Sequence, residues 1–230
     1  MFFDPLYFVF IGPAVILSIW AQAKVKSAFN KYSKVGSQRG LTGAETAKWI
    51  LRAFGVGNVR VERHKGFLSD HYDPINRVLR LSPDVHDRAS LSAVGIAAHE
   101  VGHALQHADG YFPLKIRSAM VPVTKVGSNL AFPLLFIGFI FQSLALVKVG
   151  IIFFTAVVLF QVITLPVEFD ASRRAVTIIE REGILTASEN KGAKAVLRAA
   201  ALTYVAAAAA AIAQLLYFLL RSGLLGGSRD

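Results

Sequence analysis

Residues 97–105 read AAHEVGHAL, an HExxH pattern in which His99 and His103 stand four positions apart. In a helix, residues four apart lie on the same face, so both imidazole rings can reach one metal ion while Glu100 lies beside them. Such spacing also arises by chance in ordinary helices, so the rest of the chain must support it. The chain has no cysteine, so a zinc ion here would need histidine and carboxylate ligands.

The composition is typical of a membrane protein. Of the 230 residues, 54% are hydrophobic and 17% are charged, whereas soluble domains carry about 25% charged residues. The net charge is +10, but 22 of the 25 basic residues lie in two segments, 23–125 and 168–198, that apolar runs flank. This placement is typical of loops on the cytosolic side of a membrane, and no nucleic-acid-binding motif accompanies it.

Four apolar runs are long enough to cross a bilayer as helices. They are residues 6–22, then 130–147 and 149–167, which together form a predicted hairpin at 129–167 with Lys148 between the two runs, and finally 199–220. Basic residues follow the first run and none precedes it. We therefore interpret it as an uncleaved anchor with its N-terminus outside the cytosol, although Ala21–Ala23 mimics a signal-peptide cleavage site. Residues 221–230 form a Gly-rich tail.

Two polar segments separate these runs. We expect residues 23–128 to form a small cytosolic domain and residues 168–198 to form a cytosolic helical segment. Within the first, Thr42 and Glu45 form a capping-box pattern that starts a helix ending near Phe54. The alternation at 59–61 and the apolar residues of 78–81 predict two short strands around a turn-rich segment at 69–74. A strand beside the motif helix could bind an extended peptide through its edge.

The motif helix is expected at about 91–106, with Asp87 or Ser90 as its cap. Its apolar residues cover a broad face, so it should be buried in its domain.

A catalytic zinc site needs a third protein ligand besides His99 and His103. His107 continues the four-residue spacing, but it would lie about 12 Å along the helix from His99, and zinc bonds are only about 2 Å long. The chain also lacks the glycine that breaks the helix before the third histidine of metzincins. Glu168 is the better candidate, because it follows the hairpin on the expected side of the membrane. A lone Glu at a membrane boundary is more often an interfacial charge, so this assignment depends on the HExxH pattern.

HExxH after one apolar span, followed by a hairpin and by PVEFDAS at residues 166–172, resembles the YugP-type membrane zinc metallopeptidases over nearly the whole chain. More distantly it is similar to the HtpX-like and CaaX-prenyl-protease group, gluzincins whose third ligand is the Glu of an E-x-x-x-D pattern. The resemblance implies that His99, His103 and Glu168 bind zinc and that Glu100 is the general base.

The chain departs from the wider group at Ser172, which stands where that group has an Asp that orients a ligand. Asp170 is a possible substitute, although two residues along a helix is the wrong face.

The predicted fold class is a mainly α integral membrane protein with about four transmembrane helices and a small α+β zincin-like catalytic domain. The predicted function is that of a multi-pass zinc metallopeptidase of the bacterial cytoplasmic membrane. It would hydrolyse peptide bonds of peptides, or of membrane or misfolded proteins, at the cytosolic face, through a zinc-activated water with Glu100 as general base.

The alternative is a non-enzymatic membrane scaffold with a structural zinc, but the glutamate next to the first histidine favours the enzyme. The expected partners are a peptide or protein substrate and the lipid bilayer, and the sequence assigns no oligomeric state. Five side chains could donate a hydrogen bond to the oxyanion of the reaction: His71, Tyr72, His86, His107 and Tyr111.

Overall fold

The computed structural model describes residues 4–225, and the chain there is mainly helical. The elements in chain order are α1 (Pro5–Tyr32), α2 (Gly43–Ala53), β1 (Arg60–Arg63), β2 (His71–Asp73), β3 (Val78–Leu81), α3 (Pro83–His86), α4 (Leu91–Ala108), α5 (Phe112–Ile140), α6 (Leu144–Arg181) and α7 (Ala187–Arg221). By length and composition, α1, α5, α6 and α7 could cross a membrane. The predicted fold class is confirmed. Of the predicted tail, residues 226–230 lie outside the described residues.

The chain forms two compact units, both of them discontinuous in sequence. The span unit comprises residues 4–21, 115–165 and 203–225, and the motif unit comprises residues 22–114 and 166–202. Each of the four long helices supplies residues to both units. The motif unit therefore combines the HExxH helix with residues 166–202, which the chain reaches only after residues 115–165 of the span unit.

The span unit has its own apolar core, built from α5, α6 and α7. The rings of Phe132, Phe154 and Phe218 pack edge to face, with centroids 5.5–6.1 Å apart. Many large apolar side chains on these helices and on α1 remain exposed, among them Ile16 and Ile152. An exposed apolar surface of this kind is what a bilayer covers.

The motif unit contains a three-stranded sheet in the order β1-β3-β2, with β1 parallel and β2 antiparallel to β3. The central strand β3 is buried, and β2 forms an edge. The sequence predicted β1 and β3 but placed a turn-rich segment where β2 lies. Asp73 explains the difference, because it ends the strand and also accepts hydrogen bonds from the backbone of Ile75 and Asn76 in the turn that follows.

Local capping signals set the starts of α2 and α4. The backbone of Glu45 donates to the Thr42 hydroxyl (3.2 Å) and that of Thr42 donates to the Glu45 carboxylate (2.8 Å), so the predicted capping box is confirmed. Ser90 caps α4 by accepting from the backbone N–H of Ala93. Most of α4 is buried, in a core shared with α2, β3, α6 and α7.

The hairpin differs from its prediction in two places. Its turn occupies residues 141–143, and Lys148 lies inside α6, so the interpretation of Lys148 as the break between two spans is wrong. Lysine has a good helix propensity, so a single lysine does not interrupt the helix. The helical segment predicted for residues 168–198 likewise does not start at Glu168, because α6 continues through Pro166 to Arg181 and α7 begins at Ala187.

Gly102, between the two motif histidines, allows α4 to approach α6 closely. A Cβ atom at this position would lie 2.7 Å from the backbone oxygen of Ala171. We expect Gly102→Ala to lower the free energy of unfolding by about 1–3 kcal/mol through this overpacking, despite the gain in helix propensity of up to about 1 kcal/mol. The measurement is the apparent Tm in detergent, together with the zinc content.

Gly57→Ala is the matched control, because a Cβ atom there would meet no atom within 4 Å. We expect its Tm and zinc content to stay at the wild-type values. A Gly102→Ala protein as stable as the Gly57→Ala protein would contradict the close approach of the two helices.

Candidate metal centre

His99, His103 and Glu168 lie together in the motif unit, although Glu168 follows His99 by 69 positions. Their ligating atoms all lie within 4.8 Å of one another. Glu168 Oε2 is 3.2 Å from His99 Nε2 and 3.5 Å from His103 Nε2. The structure thus brings together three of the four predicted site residues at a single point, with the fourth, Glu100, adjacent in sequence.

These distances fit a zinc ion. Two donors bound to one zinc at about 2.1 Å in tetrahedral geometry are separated by about 3.4 Å. The two nitrogen–oxygen separations of 3.2 and 3.5 Å bracket that value. The centroids of the two imidazole rings are 4.8 Å apart and the rings are nearly perpendicular. Two histidines and a carboxylate form a donor set that zinc accepts.

The second nitrogen of each ring has a protein partner. The Ser172 hydroxyl lies 3.1 Å from His99 Nδ1, and Gln106 Oε1 lies 3.0 Å from His103 Nδ1. A partner on Nδ1 fixes the orientation of the ring and leaves Nε2 available to a metal. Ser172, which replaces the Asp of the wider group, therefore contacts a candidate ligand itself.

The electrostatics of the group favour a cation at its centre. Burial disfavours a charged His103, but hydrogen bonding to Glu168 and the negative charges of Glu168 and Glu100 outweigh it, so the pKa of His103 is raised. A proton on the imidazole compensates the buried Glu168 carboxylate, whose side chain is 3% exposed. A buried carboxylate without a positive partner would be strongly destabilising. A metal ion can take the place of that proton.

Glu100 has a second carboxylate near it, which sequence reasoning missed. Burial is the main cause that raises the pKa of Asp70, hydrogen bonds from Ser82 oppose it, and the negative charge of Glu100 raises it further. Asp70 accepts from the backbone and the hydroxyl of Ser82, at 2.7 and 3.1 Å. Asp70 precedes β2 in the segment expected to be turns, so no local pattern marked it.

Two of the five candidate oxyanion donors, Tyr72 and His107, contact each other, and the other three contact different residues. His107 is exposed, and its Nδ1 lies 2.9 Å from the Tyr72 hydroxyl on β2. It is not a member of the three-residue group formed around Glu168 within residues 4–225. His71 contacts the Ser69 carbonyl, His86 contacts Asp87, and Tyr111 packs on the Arg174 guanidinium.

Replacing the candidate carboxylate ligand tests the group directly. We expect Glu168→Gln to weaken zinc binding by more than the roughly 10–100-fold typical of losing a residue that only contacts a ligand. His107→Ala should bind zinc as the wild type does, because His107 is not a member of the group. Chelator competition on purified protein measures both affinities. Zinc retained by Glu168→Gln and lost by His107→Ala would reverse the assignment.

Comparison with known proteins identifies a family of zinc enzymes. The family model described as "Putative neutral zinc metallopeptidase" matches residues 7–223. The chain is 52% identical over 217 residues to the "Putative membrane protease YugP" of Bacillus subtilis (strain 168), which covers 94% of this chain and 96% of the relative. No solved structure matches the chain. A resemblance seen in the motifs therefore extends along almost all of the sequence, and the chain belongs to this family of membrane zinc metallopeptidases, whose cofactor is Zn²⁺.

Proposed function

We propose that the protein is a multi-pass membrane zinc endopeptidase of the bacterial cytoplasmic membrane. In this proposal His99, His103 and Glu168 hold the zinc and Glu100 is the general base. Its substrates are peptides, or membrane or misfolded proteins, and it cleaves them at the cytosolic face. The observation that supports it most directly is the convergence of one Glu168 oxygen on the Nε2 atoms of both motif histidines.

The roles of the side chains follow from their positions. Zinc, when bound, lowers the pKa of a water molecule and polarises a carbonyl group. Glu100 directly follows a ligand histidine and is 8% exposed, so it can accept a proton from the attacking water and deliver that proton to the leaving amine. Ser172 and Gln106 hold the two imidazole rings through Nδ1.

The edge strand β2 is the proposed docking site for an extended substrate backbone, which would bind by strand addition. Tyr72 on this strand contacts His107 on α4, four positions past His103, so β2 runs beside the motif helix. We assign the oxyanion donor to this pair, because His107 shares a helix face with both motif histidines.

The alternative function, a scaffold with a structural zinc, fits the site less well. Structural zinc sites are closed by four protein ligands, whereas catalytic sites have three and an open position. The group within residues 4–225 contains three ligating residues. A glutamate beside the first histidine also has no role in a structural site.

Glu100→Gln separates catalysis from metal binding. We expect this variant to keep its zinc and to lose about 10²–10⁴-fold in the rate of cleaving an unfolded protein, because the amide cannot accept the proton. Zinc content and cleavage are measured on the same detergent-purified sample. Glu180→Gln, on the exposed side of α6, is the matched control and should cleave normally. Cleavage by Glu100→Gln at the wild-type rate would contradict the proposal.

The orientation in the membrane can be tested because the chain contains no cysteine. Ile75 is 90% exposed in the motif unit, and Phe141 is 74% exposed in the hairpin turn. Single Ile75→Cys and Phe141→Cys variants are treated in spheroplasts with a membrane-impermeant maleimide. We expect Phe141→Cys to react at once and Ile75→Cys to react only after permeabilisation, because the two ends of a hairpin lie opposite its turn. The reverse pattern would contradict a cytosolic site.

A further inference from the structure

Gln106 is a fully buried polar residue near the C-terminal end of α4. It is 0% exposed and follows His103 by three positions, so both side chains lie on one helix face. An amide in such a place is destabilising unless its donors and acceptor are hydrogen-bonded. The hydrogen-bond partners of the Gln106 amide therefore indicate its role.

The orientation of the Gln106 amide follows from two acceptors on α6. Its nitrogen donates to the Val167 backbone oxygen at 2.8 Å and to Asp170 Oδ2 at 3.0 Å. Because a backbone carbonyl can only accept, the amide nitrogen must face α6, and Oε1 must face His103 Nδ1. That oxygen can only accept, so Nδ1 carries a hydrogen whether or not metal is bound. When a metal ion takes the place of the proton that faces Glu168, the lone pair of His103 Nε2 is directed at the metal position.

Asp170 is itself held in place. It is 6% exposed, accepts from Arg174 Nε at 2.7 Å and also pairs with Arg173. Arg174 continues to Asp109, the residue that caps the C-terminus of α4. The chain of contacts thus leaves α4 at Gln106, passes through α6 and returns to α4. Asp170 lies two positions past Glu168 on α6, on a different helix face, so it does not take the place of the wider group's Asp. It is connected to His103 through the Gln106 amide.

The other imidazole has a less directional partner. Ser172 is a single hydroxyl that can both donate and accept, and its hydrogen can rotate. The Gln106 amide has three fixed contacts and cannot rotate without losing two of them. The two candidate ligands therefore differ in how firmly their rings are oriented before metal binds.

We propose that Gln106 is the positioning residue that fixes His103 for zinc, and that Asp170 acts on the metal site only through Gln106. This inference rests on the proposed function, because it concerns the same zinc site. In this proposal the buried Gln106 amide contributes most of the preorganisation of the site. Ser172, which occupies the position of the wider group's Asp, contributes less.

The test measures zinc affinity by chelator competition and the apparent Tm of the metal-free protein, on three variants. Gln106→Met removes the acceptor from His103 and keeps the length of the side chain, so we expect zinc to bind about 10–100-fold more weakly. Gln106→Glu keeps an acceptor for His103 but faces the Val167 oxygen and Asp170, so we expect a lower Tm yet an affinity within about tenfold of wild type. Ser172→Ala, the matched control at His99, should lose less affinity than Gln106→Met.

A purely structural role predicts a different order, because zinc affinity would then follow the stability of the metal-free protein. Gln106→Met binding zinc as tightly as wild type, or more tightly than Gln106→Glu, would overturn the proposal. If Gln106→Met does not fold, Gln106→Glu still decides it: a loss of zinc affinity well beyond about tenfold in this variant, which keeps the acceptor for His103, would refute the positioning role.

The dependence on Asp170 is tested by a double-mutant cycle. Asp170→Asn should weaken zinc binding, and Gln106→Met with Asp170→Asn should bind no more weakly than Gln106→Met alone. Additive losses would show that Asp170 does not act through Gln106. These measurements use zinc alone and no substrate, so they remain decisive even if the wild-type protein fails to cleave, an outcome that would count against the proposed function only.

Discussion

A buried carboxylate that needs a cation is the constraint on which the motif unit depends. The Glu168 side chain is almost inaccessible, and two imidazole nitrogens within 3.5 Å are its partners. The desolvation of such a group is compensated only at short range, so α4 and α6 must pack closely where Glu168 lies. Gly102 permits that approach, and the Gln106 contacts with Val167 and Asp170 fix its register.

This arrangement links the metal site to the hairpin. The helix that supplies Glu168 begins at Leu144, directly after the hairpin turn, and continues without a break to Arg181. The group of three candidate ligands forms only when the Glu168 segment of α6 packs on α4, so in the proposed function insertion of the hairpin precedes metal binding.

The two candidate histidine ligands are oriented to different degrees by the residues that contact their Nδ1 atoms. One imidazole contacts a small hydroxyl, and the other contacts an amide that a carboxylate and two arginines hold. In metalloenzymes such partners fix the tautomer and the direction of each ligand. Ser172 stands where the wider group has an Asp, and in this chain the firmer support lies on the other histidine, His103.

The sequence by itself determined the features that depend on residues a few positions apart. The HExxH spacing, the four apolar helices and the Thr42 capping box belong to this class, because helix geometry relates such residues directly. Glu168 could be proposed from topology alone, since a hairpin returns the chain to the side it left.

Only the tertiary structure decided the contacts that span long stretches of chain. Gln106 meets Val167 and Asp170 across 61 and 64 positions, and Ser172 meets His99 across 73. No local pattern encodes these pairs, and the proximity of Asp70 to Glu100 is of the same kind. The physical reason is that a buried polar group chooses its partner by distance and direction in space, which close packing of α4 on α6 sets and sequence spacing does not.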